Sequence, residues 1–180
     1  MSTCRGLIVF LTGLPGAGKS TLGRALHERL VELGRSVTLL DGDEVRALLS
    51  SELGYSRAHR DLNVRRIGYV ASEIARHGGV AICAQIAPYA AARAEVQRRG
   101  SAAGHFLLVH VSTPLEVCER RDPKGHYARA RAGLLPAFTG VSDPYEAPLD
   151  ADLSIDTQNS TPREAAERIV ARLQREGWLG

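Results

Sequence analysis

Cysteine is scarce in this 180-residue chain, at Cys4, Cys83 and Cys118 only. No two form a C-x-x-C pair and none stands at a histidine spacing suited to zinc, which argues against a metal ribbon. Cys83 falls in an expected buried strand and Cys118 on an expected helix, so both read as small core residues. An odd count without a signal peptide fits a reducing cytosol, and a cytoplasmic location is expected. Long apolar runs are missing, which excludes a bilayer span and a membrane partner. Aromatics make up only 5% of the residues and do not interleave with a basic stripe, which argues against nucleic acid as the main partner. Repeats and low-complexity linkers are absent as well. The net charge is only +3, with arginines spread along helices, a balance that suits an arginine-lined pocket for a small anionic substrate. One domain, residues 1–180, is the economical reading, able to bury roughly 70% of the surface of its unfolded chain.

What the chain does contain is GLPGAGKST, Gly13 to Thr21. It fits the P-loop pattern G-x-x-x-x-G-K-[ST], and the residues Gly13, Leu14, Pro15, Gly16, Ala17, Gly18, Lys19, Ser20 and Thr21 are the candidate ATP-binding set. An apolar run, Leu7 to Thr12, precedes it as a strand. Leu22, Leu26, Leu30 and Leu33 follow on one helical face. In that context the glycines let backbone N–H groups close around phosphate oxygens at a helix N-terminus. Lys19 reaches the β- and γ-phosphates, and Ser20 is a ligand for Mg²⁺.

Strand and helix then alternate. A second strand, residues 36–43, ends in Asp41, Gly42 and Asp43, where a carboxylate can hold Mg²⁺ or accept a hydroxyl proton. The competing explanation is that Asp43 merely caps the next helix. Apolar spacing predicts a helix over residues 61–76, with Arg60, Asn63 and Arg66 on one face. A third strand covers 80–89, a fourth 105–112. Thr113 is expected to cap a helix with Pro114 at its first position. The cations Arg120, Arg121, Lys124, Arg129 and Arg131, broken by Pro123 and Gly125, suit a lid at about residues 121–140. A solvated helical hairpin is the alternative. A fifth strand (151–157) and a last helix (162–176) complete a three-layer α/β P-loop NTPase fold, with a mostly parallel five-stranded sheet flanked by helices and a basic lid segment.

These segments together resemble the adenylylsulfate kinase family over nearly the whole chain. The resemblance rests on GLPGAGKST, DGDEVR (Asp41 to Arg46), HRDLNVRRIG (His59 to Gly68), Ala87 to Tyr89, the RDPKG segment, and FTGVSDPYEAP (Phe138 to Pro148). It implies an enzyme that moves the γ-phosphate of MgATP to the 3′-hydroxyl of adenosine 5′-phosphosulfate (APS), giving PAPS. By this resemblance Lys19, Asp41 and Asp43 are catalytic, Ser20 and Asp41 hold Mg²⁺, and Arg121 joins the ATP site. The acceptor side is implied to comprise Asp43, Arg46, Tyr55, Arg60, Asn63, Ile86, Ala87, Lys124, Gly125 and Phe138. Phe138 would stack on the adenine of APS opposite Tyr55. A homodimer and a sulfurylase partner are further implications.

The departures from the family pattern are Glu44, His59, Gln85, Ala87 and Pro136. Ala87 stands where the family carries a serine, so any transfer is direct from ATP. Two rival readings follow: a kinase of another small hydroxyl or nucleotide-like metabolite, and a non-catalytic nucleotide-binding module regulating a sulfurylase. Retention of Lys19, Ser20, Asp41 and Asp43 favours an enzyme.

Overall fold

The computed structural model describes residues 5–179, so Cys4 lies outside them. β1 (Leu7–Thr12) is fully buried. Its side chains alternate between two cores, as the period of a strand requires. Leu7, Val9 and Leu11 face α1 (Lys19–Glu32) and α7 (Pro162–Arg175), whereas Ile8 and Phe10 face α3 (Arg57–Arg76) and α4 (Ala90–Ala103). A strand covered on both faces must be apolar throughout, which is why LIVFLT reads as an unbroken run.

β2 (Val37–Asp41), β3 (Val80–Ala84), β4 (His105–Val111) and β5 (Leu153–Ile155) complete one sheet in the order β2-β3-β1-β4-β5. Every pairing is parallel, so all strand ends that precede a helix lie along one edge. In such sheets ligands bind at that edge. Cys83 and Cys118 are both fully buried, and burial pushes the Cys83 thiol up to about 12. No helix among the described residues is long and apolar enough to cross a membrane.

Several expected boundaries move, each for a local reason. β2 stops at Asp41, because its carboxylate accepts the Asp43 N–H (3.1 Å) and starts α2 (Gly42–Leu49) at once. The cap of α2 is therefore Asp41 and not Asp43. α3 begins four residues before the expected start, since Ser56 caps it through the His59 N–H. β3 ends at Ala84, because residues 85–89 turn away from the sheet through Ala87, whose φ is 43°. Thr113 is no cap. α5 (Leu115–Arg121) follows Pro114, and the Thr113 hydroxyl donates instead to the Ala17 carbonyl. α7 is capped by Thr161, in a full capping box with Glu164.

α3 and α4 approach closely at Gly68, where an added Cβ would lie 2.6 Å and 2.7 Å from the two methyls of Val96. Gly68→Ala should therefore cost about 1–3 kcal/mol by overpacking, overriding the helix propensity gain of about 1 kcal/mol. Urea unfolding measures this, and Val96→Ala in the same chain should recover part of the loss. A Gly68→Ala variant as stable as the parent would show that the two helices separate freely.

Candidate active site

The loop between β1 and α1 is pressed against its neighbours. A Cβ at Gly13 would fall 2.5 Å from the Val111 carbonyl, so only glycine allows the chain to pass β4 here. Gly18, the residue before α1, has φ 99°, a left-handed conformation natural to glycine. The Ala17 carbonyl is fixed from behind by the hydroxyls of Thr113 (3.0 Å) and Thr157 (2.8 Å). No side chain caps α1, which leaves its first N–H groups to an anion.

Lys19 is 8% exposed, and its Nζ donates to the carbonyls of Gly13 (2.9 Å) and Leu14 (2.6 Å). Burial lowers its pKa to about 8, against the opposing pull of the Asp41 and Asp43 carboxylates. Asp41 uses Oδ1 for its cap, while Oδ2 is buried with no partner among the described residues. A buried carboxylate oxygen in want of a partner, at the end of β2 on the same sheet edge as Ser20, fits the hard oxygen donors that Mg²⁺ takes. Among the described residues no cluster of three His, Cys, Asp or Glu side chains could cage a metal unaided.

The basic segment after β4 folds as a short hairpin of α5 and α6 (His126–Arg131). Asp122 accepts the N–H groups of Tyr127 and Ala128, both at 3.0 Å, and so holds the first turn of α6. Tyr127 is buried, and its hydroxyl donates to the Pro15 carbonyl at 2.9 Å, which seats α6 on the P-loop. Arg121 lies across the loop as well, donating to Thr157 Oγ1 (2.9 Å), Thr157 O (3.0 Å) and Gly16 O (3.4 Å). Lys124 is paired with the carboxylate of Asp43, and Gly125 is the left-handed residue that starts α6. The hairpin is thus closed over the loop, and Asp43 is held by the hairpin.

The expected acceptor residues are only partly brought together. Arg60 Nη1 donates to Thr139 Oγ1 (2.9 Å) and Asp143 Oδ2 (2.8 Å), and Nη2 donates to the Ala137 carbonyl. Asn63, one turn along α3, is buried with its Oδ1 unpartnered. Ile86 and Ala87 run beside them, their carbonyls taken by Thr12 Oγ1 (2.6 Å) and Arg93 Nη1 (2.7 Å) respectively. Phe138 meets Tyr127 edge-on at 5.0 Å. Tyr55 is far more exposed and lies 4.7 Å beneath the Arg46 guanidinium, which also donates to the carbonyls of Leu53 and Gly54. No ring contact joins Tyr55 to Phe138 among the described residues. Arg66 parts from Arg60: it binds Glu52 at 2.6 Å and the Leu49 carbonyl at 2.8 Å, closing the end of α2.

The sequence reading overlooked the residues behind this surface: Thr12, Tyr89, Arg93, Asp143 and Tyr145. Tyr145 contacts Thr12 Oγ1 through its hydroxyl (3.0 Å), and Arg93, 5% exposed, also donates to the Glu146 carbonyl. The DPYE tetrapeptide was visible as a motif, but its partners are remote in sequence and no spacing rule connects them.

With this geometry established, comparison with known proteins is direct. The adenylylsulphate kinase family pattern matches residues 5–156. An adenylyl-sulfate kinase of Synechococcus sp. (strain JA-3-3Ab) is 47% identical over 175 residues, 97% of this chain and 98% of its own length. A sulfate adenylyltransferase of Phaeosphaeria nodorum is 48% identical over 97% of this chain, but the chain spans only 31% of that relative's length. Among solved structures, the Mycobacterium tuberculosis APS kinase in complex with AMPPNP and APS superposes with a TM-score of 0.91 at 40% identity, covering 94% of this chain and 98% of its own. Matches of this extent, at these identities, mean that the chain belongs to the adenylylsulphate kinase family.

Proposed function

We propose that this chain transfers the γ-phosphoryl group of MgATP to the 3′-hydroxyl of APS, yielding ADP and PAPS. Residues 1–180 form one kinase domain in this reading, with about 121–140 as its lid. The observation that carries it is the convergence at one sheet edge of a buried P-loop lysine, two strand-end aspartates and a basic hairpin seated on the loop. The likeness to a kinase solved with AMPPNP and APS supports the choice of donor and acceptor.

The chemistry is in-line displacement, governed by positioning and charge. The acceptor oxygen forms a bond to the γ-phosphorus as the bridging bond to the β-phosphate oxygen breaks, and the hydroxyl proton passes late to Asp43. Lys19 exchanges the Gly13 and Leu14 carbonyls for phosphate oxygens, a better partner for a dry ammonium. Asp43 exchanges Lys124 for the acceptor hydroxyl. Mg²⁺, held by Ser20 and Asp41, would supply charge neutralisation to the phosphates. Ala87 has no hydroxyl, so no phosphate is parked there. A sulfurylase partner and a homodimer belong to the same proposal; the sulfurylase is supported by the longer relatives named sulfate adenylyltransferase.

Two of the departures from the family pattern do not favour another acceptor. His59 Nδ1 accepts the Gly54 N–H (2.9 Å), and Gln85 Nε2 donates to the Leu40 carbonyl (3.3 Å). Both side chains serve the local backbone.

Coupled ADP release over a panel of hydroxyl acceptors tests the assignment. APS should give turnover and Lys19→Ala should remove at least about 99% of it. Turnover on another acceptor and none on APS would reject the proposal. The lysine also imposes a pH dependence. Its folded pKa is depressed from 10.5 to about 8, so the buried charge weakens the fold fully below pH 8, and that penalty fades as pH rises towards 10.5. Phosphate binding has the opposite sign, because it needs the ammonium. AMPPNP affinity, measured by calorimetry, should fall roughly five- to tenfold from pH 7.5 to 9.0. An unchanged affinity would mean that Lys19 is not the group that meets the phosphates.

A further inference from the structure

We propose that Asp143 is a positioning residue that joins Arg60 and Phe138 into one acceptor-recognition unit. The inference rests on the reading of the acceptor given above. Arg60 grips the chain on both sides of Phe138, through the Ala137 carbonyl and the Thr139 hydroxyl. Its third partner is Asp143 Oδ2, and that same oxygen accepts the Tyr89 hydroxyl at 2.6 Å. One carboxylate oxygen therefore ties together α3, the 85–89 segment and the 137–143 loop. The loop closes on itself as well, with the Asp143 N–H donating to the Phe138 carbonyl at 3.1 Å.

The physical setting makes this more than a surface pairing. The Arg60 and Asp143 side chains are only 12% and 21% exposed, so solvent screens them poorly. Tyr89 is buried, and burial followed by its bond to Asp143 raises the phenol pKa, which keeps it a donor. With Nη1 fully engaged and one Nη2 hydrogen on Ala137, Arg60 retains Nε–H and the other Nη2 hydrogen for a ligand's anionic oxygens. Their direction is set by the three protein bonds. Ala137 is held at φ 52°, a conformation that a non-glycine residue keeps only when its surroundings enforce it.

Steady-state kinetics and amide exchange separate this role from a merely structural one. Asp143→Asn preserves shape and removes charge. It should raise KM for APS about tenfold, as expected for loss of a charged hydrogen bond, and leave KM for ATP within about twofold. Added to Arg60→Ala, or to Phe138→Ala, it should cost less than about twofold more, because the three act as one unit. Tyr89→Phe, which keeps the ring beneath Arg57, should raise KM for APS about threefold. Independently of any acceptor, Asp143→Asn should speed hydrogen exchange across residues 137–143. Unchanged exchange there, equal effects on both substrates, or effects that multiply with those of Arg60→Ala would each overturn the proposal. A parent enzyme inactive on APS whose Asp143→Asn variant still loosens 137–143 would sink the acceptor assignment alone.

Discussion

A lysine ammonium kept nearly dry at the mouth of a glycine loop is the constraint on which the rest of this structure turns. Taking Lys19 out of water is unfavourable, and the two carbonyls it binds and the nearby carboxylates of Asp41 and Asp43 offset part of that loss. The loop can supply those carbonyls because it curls tightly, and it curls tightly because Gly13 passes within contact of β4. The sheet order does the remainder. By running every strand in one direction, it sets Asp41 at the same edge as the loop. Lys19 is thus a cation held by two backbone carbonyls, and in the proposed function it exchanges them for phosphate.

The side that the proposed function assigns to the acceptor is built differently. Beside Arg60 and Asn63 of α3 it uses two irregular segments, 85–89 and 137–146, which lie outside the sheet. Side chains reaching to backbone carbonyls hold them. Arg93 is almost fully buried with no carboxylate partner among the described residues, and it is satisfied by the carbonyls of Ala87 and Glu146. Left-handed alanines at positions 87 and 137 each cost on the order of 1–3 kcal/mol, and both have their carbonyls bound by buried or half-buried arginines. Precision is obtained here from long-range hydrogen bonds, whereas the phosphate side obtains it from the sheet.

That difference also explains what the sequence disclosed. The P-loop was legible because its chemistry is local: glycine spacing, a strand before and a helix after. β1 and α1 lie where pattern rules place them. Asp41 and Asp43 were legible as a pair, but their division of labour was not. Which one caps α2 depends on where the helix starts, and it starts at Gly42, with Asp41 accepting the Asp43 N–H. Thr113 looked like a cap because its sequence neighbours suit one, yet its hydroxyl is claimed by Ala17, 96 residues away. Phe138 was identified by motif, but its edge-on contact with Tyr127 depends on how the hairpin seats, which no local rule encodes.

Thr157 ties the P-loop to the C-terminal part of the chain. This residue lies two positions after β5, just past the end of the family match at 156, and it holds both the Ala17 carbonyl and Arg121. α7 behind it contributes Ala165, Ala166, Ile169, Val170 and Leu173 to the core that α1 shares. The nucleotide loop is therefore braced by the last quarter of the chain as much as by the strand that leads into it. In any longer polypeptide carrying this unit, the tolerable junction lies beyond α7. A cut at the edge of the recognisable motif would keep every signature residue and release the loop they depend on.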